Sequence, residues 1–360
     1  MDKINKQRVL IAPLDWGLGH ATRCIPIIQA FQNLGYEVIL AADGAVANLL
    51  SKEFKQIRII HLSGYHIQYA KSAKGLAWKL FLQIPQILKT IKEEQLWLEE
   101  IIDQEKIDLV ISDNRYGLHS KKVPSVFITH QLTIKTPFDF LETLIQKFNY
   151  QFINRFTACW IPDVKEAINV AGILSHPKKM PAIPVHYLGI VSRMQLNLAP
   201  TNLFNFCFLL SGPEPQRTLL ENKIILLLPK LSGSAVIIRG LPASEQTLTV
   251  PENTKVFNHL PNTELASVIS SSKLIICRSG YTSVMELIGM QKKALLIPTP
   301  GQTEQEYLAM KLSKEGRFSM TTQEAFNLIA VEKAANNNPI RLQEFPLFTT
   351  KTLEALLQEL

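Results

Sequence analysis

Cysteine is scarce in this chain of 360 residues: its 4 thiols, Cys24, Cys159, Cys207 and Cys277, lie far apart, and none falls in a Cys-x-x-Cys pair. That spacing excludes a disulfide framework and a cysteine-built zinc site, and it suits a reducing compartment. Long apolar runs are missing too, so no stretch spells a membrane-spanning helix. Internal repeats, low-complexity segments, arginine-rich runs and helix-turn-helix patterns are absent, and no nucleic-acid partner is expected. The charged opening, Met1 to Arg8, leads into a strand and not into the apolar core of a signal peptide, so a cytoplasmic protein is expected. What is present is the composition of a folded chain, 46% hydrophobic and 19% charged, long enough for two domains. The net charge of +7 suits nucleic acid, anionic lipid or phosphorylated substrates without choosing among them.

The first half opens as strand, glycine loop, helix and strand. Arg8 to Pro13 is the first strand, Asp15 to His20 the loop, Ala21 to Leu34 an amphipathic helix ended by Gly35, and Tyr36 to Ala42 the second strand. This order predicts a doubly wound α/β domain with a right-handed crossover. Gly17 and Gly19, followed by Thr22, make an incomplete dinucleotide fingerprint, with Asp43 at the ribose position of an NAD site. His20 falls at the carboxyl end of the first strand, where open α/β sheets hold ligands, and is a candidate base. A cap of the helix is the plainer reading of it. Arg23, one turn on, reaches a phosphate or a substrate carboxylate, or lies solvated on the surface. Ile107 to Asp113 and Val123 to Ile128 are further strands, ending in Asp113 and in Thr129-His130-Gln131. Asp113 is thus a second candidate base or a turn aspartate, and Asp15, Arg23 and His130 are candidates for an acceptor pocket. Thr157 to Pro162 reads as the last strand of this half.

Lys71 to Ile102 carries Leu76, Leu80, Ile84, Ile87, Leu88 and Ile91 at helical spacing, with lysines and Trp78, Phe81 and Trp97 beside them. One or two helices packed on the sheet, or a basic face lying on an anionic membrane, both fit. Tyr187 to Pro200 has the composition of a hinge.

In the second half, Asn205 to Leu210, Ser234 to Arg239 and Thr254 to Phe257 are strands. Leu274 to Cys277 then runs through Arg278-Ser279-Gly280 into a helical pattern from Thr282 to Ile288, and Lys293 to Pro298 is the next strand. Gly280 permits close approach of backbone to a ligand, and a helix N-terminus favours phosphate. Glu286, one turn beyond Thr282, fits the two hydroxyls of a ribose. Ser283 to Glu286 equally fits a capping box.

Ile276 to Gly316 resembles the C-terminal domain of glycosyltransferase family 28, the MurG-like enzymes that transfer N-acetylglucosamine from UDP-GlcNAc to a lipid-linked acceptor. Cys277-Arg278-Ser279-Gly280, Thr282, Glu286-Leu287, Leu296-Ile297-Pro298, Gln305 and Tyr307 match its pattern in order and spacing. The resemblance implies that Glu286 binds the uridine ribose and that Gln305 lies against the donor sugar. Gly17 to Arg23 is similar both to the glycine-rich loop of GT-B glycosyltransferases and to the Gly-x-Gly-His-x-x-Arg loop of PseG-type UDP-sugar hydrolases, which implies that His20 stands at the reacting centre. Ser211 to Arg217 departs from the family's glycine-rich phosphate loop; a carboxylate from Glu214 there would repel a diphosphate, so either Glu214 points away or donor binding is altered. Gln291-Lys292-Lys293 replaces the family's small-residue exit from the donor helix.

The expectation is therefore a GT-B fold, α/β, with two Rossmann-like doubly wound parallel-sheet domains facing a cleft. Residues 1–190 form the acceptor domain and residues 200–345 the donor domain, while residues 346–360 form a helix crossing back to the first. The function expected is an inverting glycosyltransferase that takes the UDP-sugar as substrate with no cofactor and, because no Asp-x-Asp pair appears, needs no metal. It takes a sugar from a UDP-sugar to a glycan or lipid-linked hydroxyl, at the inner face of the plasma membrane if the basic helix binds there. His20 and Asp113 are the catalytic candidates. Gly17, Gly19, Arg278, Ser279, Gly280, Thr282, Glu286 and Gln305 are the donor-binding candidates. A UDP-sugar hydrolase, a UDP-sugar epimerase and a non-catalytic nucleotide-sugar binder are the alternatives, the last prompted by Glu214.

Overall fold

A computed structural model describes residues 6–65, 73–136, 139–194, 203–242, 244–338 and 342–360. The chain divides into two compact units; the second consists mainly of Met194–Phe345, and the first ends with the segment Pro346–Leu360.

In chain order the first unit holds β1 (Arg8–Pro13), α1 (Leu18–Asn33), β2 (Glu37–Ala42), α2 (Gly44–Glu53), β3 (Arg58–His61), α3 (Ala73–Glu105), β4 (Leu109–Asp113), β5 (Ser125–Ile128), α4 (Asp139–Ile153), β6 (Ala158–Ile161) and β7 (Val185–Tyr187). Among the described residues these strands form one sheet of seven in the order β3-β2-β1-β4-β5-β6-β7, parallel throughout. Order reverses between β1 and β4, and the carboxyl ends at such a switch point leave room for a ligand.

The apolar run of β1 follows from burial on both faces. Val9 and Ile11 pack on α1 and α2, and Leu10 and Ala12 pack on Leu98, Ile101 and Ile102 of α3. Each buried Val, Leu or Ile side chain among these stabilises by about 1.5–3 kcal/mol relative to exposure. The last helix, α10 (Thr350–Leu357, numbered in chain order after those of the second unit), belongs to the same core, with Leu353 and Leu356 buried against α1. A capping box between Thr349 and Thr352 starts it.

The second unit holds β8 (Phe204–Leu209), α5 (Gln216–Leu227), β9 (Ala235–Ile238), β10 (Thr254–Phe257), α6 (Asn262–Ser270), β11 (Ser272–Cys277), α7 (Tyr281–Gly289), β12 (Ala294–Leu296), α8 (Thr303–Lys314), β13 (Ser319–Met320) and α9 (Leu328–Asn336). Its sheet, six strands among the described residues, runs β10-β9-β8-β11-β12-β13, again all parallel. Phe206, Phe208, Leu274 and Ile276 meet α5 and α9 on one face. α7 is buried almost all round, through Tyr281, Val284, Met285, Leu287 and Ile288.

Several boundaries differ from the sequence reading. α1 begins at Leu18, with Gly17 as N-cap, so Gly19 and His20 lie in its first turn and not in the loop. β3 was not anticipated, because Arg58 and His61 at its ends mask a short edge strand. β6 is not the last strand of its sheet: β7 pairs outside it. Tyr187 to Gly189, read as the start of a hinge, is tied to that sheet through Leu188 N–H to Ile161 O and Gly189 N–H to Asp163 O. The rest of the hinge reading, residues 195–200, lies outside the described residues, as do Lys71 and the side chains of Lys74, Leu76, Trp78, Lys79, Leu80 and Phe81. The described part of Lys71 to Ile102 is a single helix, α3, which contains Pro85.

Candidate active site

In the first unit, β1, α1, β4 and the turn after β5 bring four candidates together. β4 pairs in register with β1, Pro13 opposite Asp113, and β5 places Ile128 opposite Asp113. The carboxylate of Asp113 is fully buried, at 0% exposure, and Arg23 lies beside it at 3%. Arg23 Nε donates to Asp113 Oδ2 at 3.2 Å, and Arg23 Nη2 makes a shorter bond to Oδ1. His20 Nδ1 stands 3.2 Å from Asp113 Oδ1 and 2.9 Å from Arg23 Nη2. Arg23 Nη1 reaches His130 Nδ1 at 2.9 Å, and the Cys24 thiol donates to Asp113 Oδ2 at 3.6 Å. Burial pushes the Asp113 carboxyl up, but Arg23 and His20 outweigh it and bring it down to about 2. The carboxylate therefore stays ionised, with its charge balanced inside the protein. The His20 ring is 17% exposed, the member of this cluster nearest to solvent.

Arg23 is neither the solvated arginine nor the free anion hook of the two sequence readings; its guanidinium is engaged by Asp113 and two imidazoles. The missing signal was burial: one arginine on an amphipathic helix reads as surface, and only a buried carboxylate 90 residues away reveals otherwise.

The loop at Asp15 is fixed separately. Tyr65 N–H donates to Asp15 Oδ1 at 3.1 Å, and a side chain at Gly64 would clash with that carboxylate. Gly17 needs its φ of 89° to turn the chain into α1. Behind the loop, Arg115 bonds Glu94 and the carbonyls of Pro13 and Ser63, tying β1, the segment after β3 and α3 into one support that sequence reasoning missed. Asp43, the NAD ribose candidate, is the N-cap of α2 and accepts from Gly44 N–H.

In the second unit the turn from β11 to α7 stands at the carboxyl end of a central strand. Gly280 is the N-cap of α7, has an ordinary φ of −65°, and makes no side-chain cap bond. Its φ asks for no glycine; a β-carbon there would meet no atom within 4 Å, so what glycine leaves is open space over the helix N-terminus. Ser283 is inside the helix and not its cap, which removes the capping-box reading of Glu286. Glu286 lies nearly two turns from the N-terminus and is buried. Thr282, in the first turn of α7, is half-buried.

Arg278 and Ser279 are placed differently from the sequence expectation. Arg278 is 1% exposed and donates to Ile297 O, Pro298 O, Gln216 O and Gln323 Oε1. Burial lowers its pKa to about 10. The buried Ser279 hydroxyl donates to Gln305 O at 2.8 Å. Both brace the turn from within. Gln305 Oε1 accepts from Thr299 N–H at 2.9 Å, and Glu306 Oε1 from Gly301 N–H at 2.9 Å, holding the turn before α8.

Glu214 is accounted for by its neighbours. Its side chain is 53% exposed, accepts from Arg217 Nε at 2.6 Å, and takes the Thr218 N–H of the first turn of α5. Although burial pushes the other way, these bonds lower its pKa. Arg217 continues to Glu221, which is bidentate with Arg239, so Glu214 ends a buried ion network.

Two parallel-sheet Rossmann-like units, each with candidate residues at the carboxyl ends of its central strands, define the GT-B architecture. Comparison with known proteins agrees. The MurG of Acinetobacter baumannii superposes with a TM-score of 0.55 at 18% identity, covering 99% of this chain and 100% of that one. The spinosyn rhamnosyltransferase SpnG, solved with thymidine diphosphate, gives 0.63 at 15% identity, covering 98% and 100%. A protein of Methanosarcina acetivorans described as an uncharacterized glycosyltransferase is 23% identical over 384 residues, 98% of each chain. Residues 236–345 match the glycosyltransferase family 28 C-terminal domain. The protein is a glycosyltransferase of GT-B fold, and its second unit carries that domain.

No helix among the described residues is long and apolar enough to cross a membrane.

Proposed function

We propose that this glycosyltransferase moves a sugar, of N-acetylglucosamine type, from a UDP-sugar to an acceptor hydroxyl with inversion and without a metal, and that His20 is the base. The observation that carries the reading is the His20–Asp113 pair. With Nδ1–H donated to the ionised Asp113, the ring keeps its lone pair on Nε2. The acceptor hydroxyl gives its proton to Nε2 as its oxygen bonds the anomeric carbon, and the bond from that carbon to the diphosphate breaks, releasing UDP. Asp113 is too deeply buried to meet a substrate, so its part is to orient the imidazole, and Arg23 balances its charge. Arg23 Nη2 competes for the same Nδ1, so the active state is the one in which that guanidinium faces Asp113 and His130.

For the donor, the N–H groups and positive dipole at the start of α7, above Gly280, stabilise the leaving diphosphate. Glu286 takes the ribose hydroxyls and Gln305 the sugar, while Arg278 and Ser279 shape the turn. Thymidine diphosphate in a structural neighbour supports a pyrimidine nucleoside diphosphate. The Gly17 loop with Asp15 and His130 serves the acceptor, a glycan or lipid-linked alcohol. Exposed Ile84 and Leu88 on α3, beside exposed Lys89 and Lys92, support peripheral contact with an anionic membrane. Hydrolysis, with water in place of the alcohol, is the second reading, favoured by the Arg23–His20 contact that follows the Gly-x-Gly-His-x-x-Arg pattern. Product analysis separates free sugar from glycoside.

A thermal-shift series with UDP, GDP, dTDP, NAD and UDP-sugars tests the donor. Stabilisation by UDP species supports the proposal; stabilisation by NAD alone would revive the dinucleotide reading of Gly17 to Thr22.

A further inference from the structure

At the amino ends of β8 and β11, the opposite end of these strands from the donor turn, lies a cavity of about 460 Å³. Its apolar floor is Phe206, Leu274 and Ala335, and its walls carry Lys273, Lys292 and Lys293. Among the described residues no carboxylate lines it. Lys292 Nζ donates to Ser270 O at 2.8 Å and Lys293 Nζ to Ala335 O at 2.9 Å, the carbonyls near the ends of α6 and α9. Such carbonyls complement an ammonium but leave its charge whole. Lys273 is exposed, and among the described residues it has no bonded or ion-pair partner. Three lysines thus line one cavity with no carboxylate counter-ion among the described residues. Burial lowers the pKa of Lys292, a sign of what holding charge there costs.

The backbone supports the same arrangement. Gln291 adopts φ 52°, a left-handed position usually given to glycine or asparagine after a helix. Its N–H bonds Ile288 O while Lys292 N–H bonds Leu287 O, closing α7 so that consecutive lysines reach the ends of two different helices.

We propose that this cavity is a second, non-catalytic site for a small multivalent oxyanion of phosphate type. Two N–H donors on each of Lys292 and Lys293 and all three on Lys273 are left for the ligand. The site lies wholly in the second unit and does not depend on how the donor turn works.

Calorimetric titration of the full chain with inorganic pyrophosphate, in saturating UDP, tests it. The wild type takes up pyrophosphate, less tightly as salt rises. Lys273→Glu leaves the fold untouched and weakens uptake about tenfold, the worth of one charge-assisted contact. Lys292→Gln with Lys293→Gln abolishes it, with folding checked by circular dichroism. A wild type that binds no pyrophosphate beside UDP, or equal affinity in wild type and Lys273→Glu, overturns the proposal. Sedimentation with phosphatidylglycerol vesicles, dependent on Lys273 but without pyrophosphate uptake, overturns it in favour of a lipid headgroup. Failure of UDP to bind condemns the donor reading alone, because pyrophosphate uptake sensitive to Lys273→Glu is still measurable.

Discussion

Asp113→Asn removes one negative charge from a place that solvent does not reach. Two magnitudes bear on the result. The Asp113 carboxyl stands at about 2 against an ordinary 3.8, a difference worth about 2 kcal/mol of native-state stability. Its sign follows from the depressed folded value: the contribution is whole above the unfolded value and is lost as pH falls through the folded one. The second magnitude is larger, since a buried guanidinium deprived of its carboxylate costs about 3–5 kcal/mol. Arg23 keeps His20 and His130 as partners, so the lower figure applies. Asp113→Asn should therefore unfold in urea with a loss of about 3 kcal/mol at neutral pH, and its acid-side stability should fall less steeply than the wild type's. Arg23→Met should lose a similar amount. The double variant should lose much less than the sum, because neither charge is left stranded. Turnover in Asp113→Asn should drop about a thousandfold as the imidazole loses its orienting acceptor. Additive losses in the double variant, or full turnover in the single one, would refute the account of this cluster.

Gly280→Ala should keep the wild-type melting temperature, since no atom stands within 4 Å of the added carbon and its φ suits alanine. It should weaken UDP about tenfold by crowding the start of α7; unchanged affinity would place the diphosphate elsewhere. Glu286→Ala should weaken UDP by about 1.5–3 kcal/mol, the range of hydrogen bonds to a charged group, and equal calorimetric affinity would leave Glu286 a core residue. Glu214→Ala should cost about 1 kcal/mol of stability through the lost bonds to Arg217 and the Thr218 N–H without improving UDP binding. A markedly tighter UDP complex would show that this carboxylate opposes the diphosphate after all.

Strong local signals made much of the fold legible. β1 and β10 match their sequence ranges to the residue, because a short β-branched run between turns admits little else. β3 and β7 escaped notice as short edge strands, the former bounded by charge and the latter only three residues long. For the candidate site, residue type pointed to His20 and Asp113, but not to their partnership: the two are 93 positions apart and meet only through the β1–β4 register. Arg23 and Arg278 show the limit most clearly. Each looked like a ligand contact in sequence, and each is buried on protein acceptors, a distinction that only packing draws. At Glu214, likewise, only the structure shows that Arg217, one turn along the chain, donates to the carboxylate.

Release of UDP from UDP-sugars, to water or to added glycan alcohols, by wild type and His20→Ala tests the central claim most directly when read beside their affinities for UDP. The account predicts release by the wild type and at least about a hundredfold less by His20→Ala, with UDP affinity unchanged. Release by His20→Ala at the wild-type rate would contradict it and move the base elsewhere.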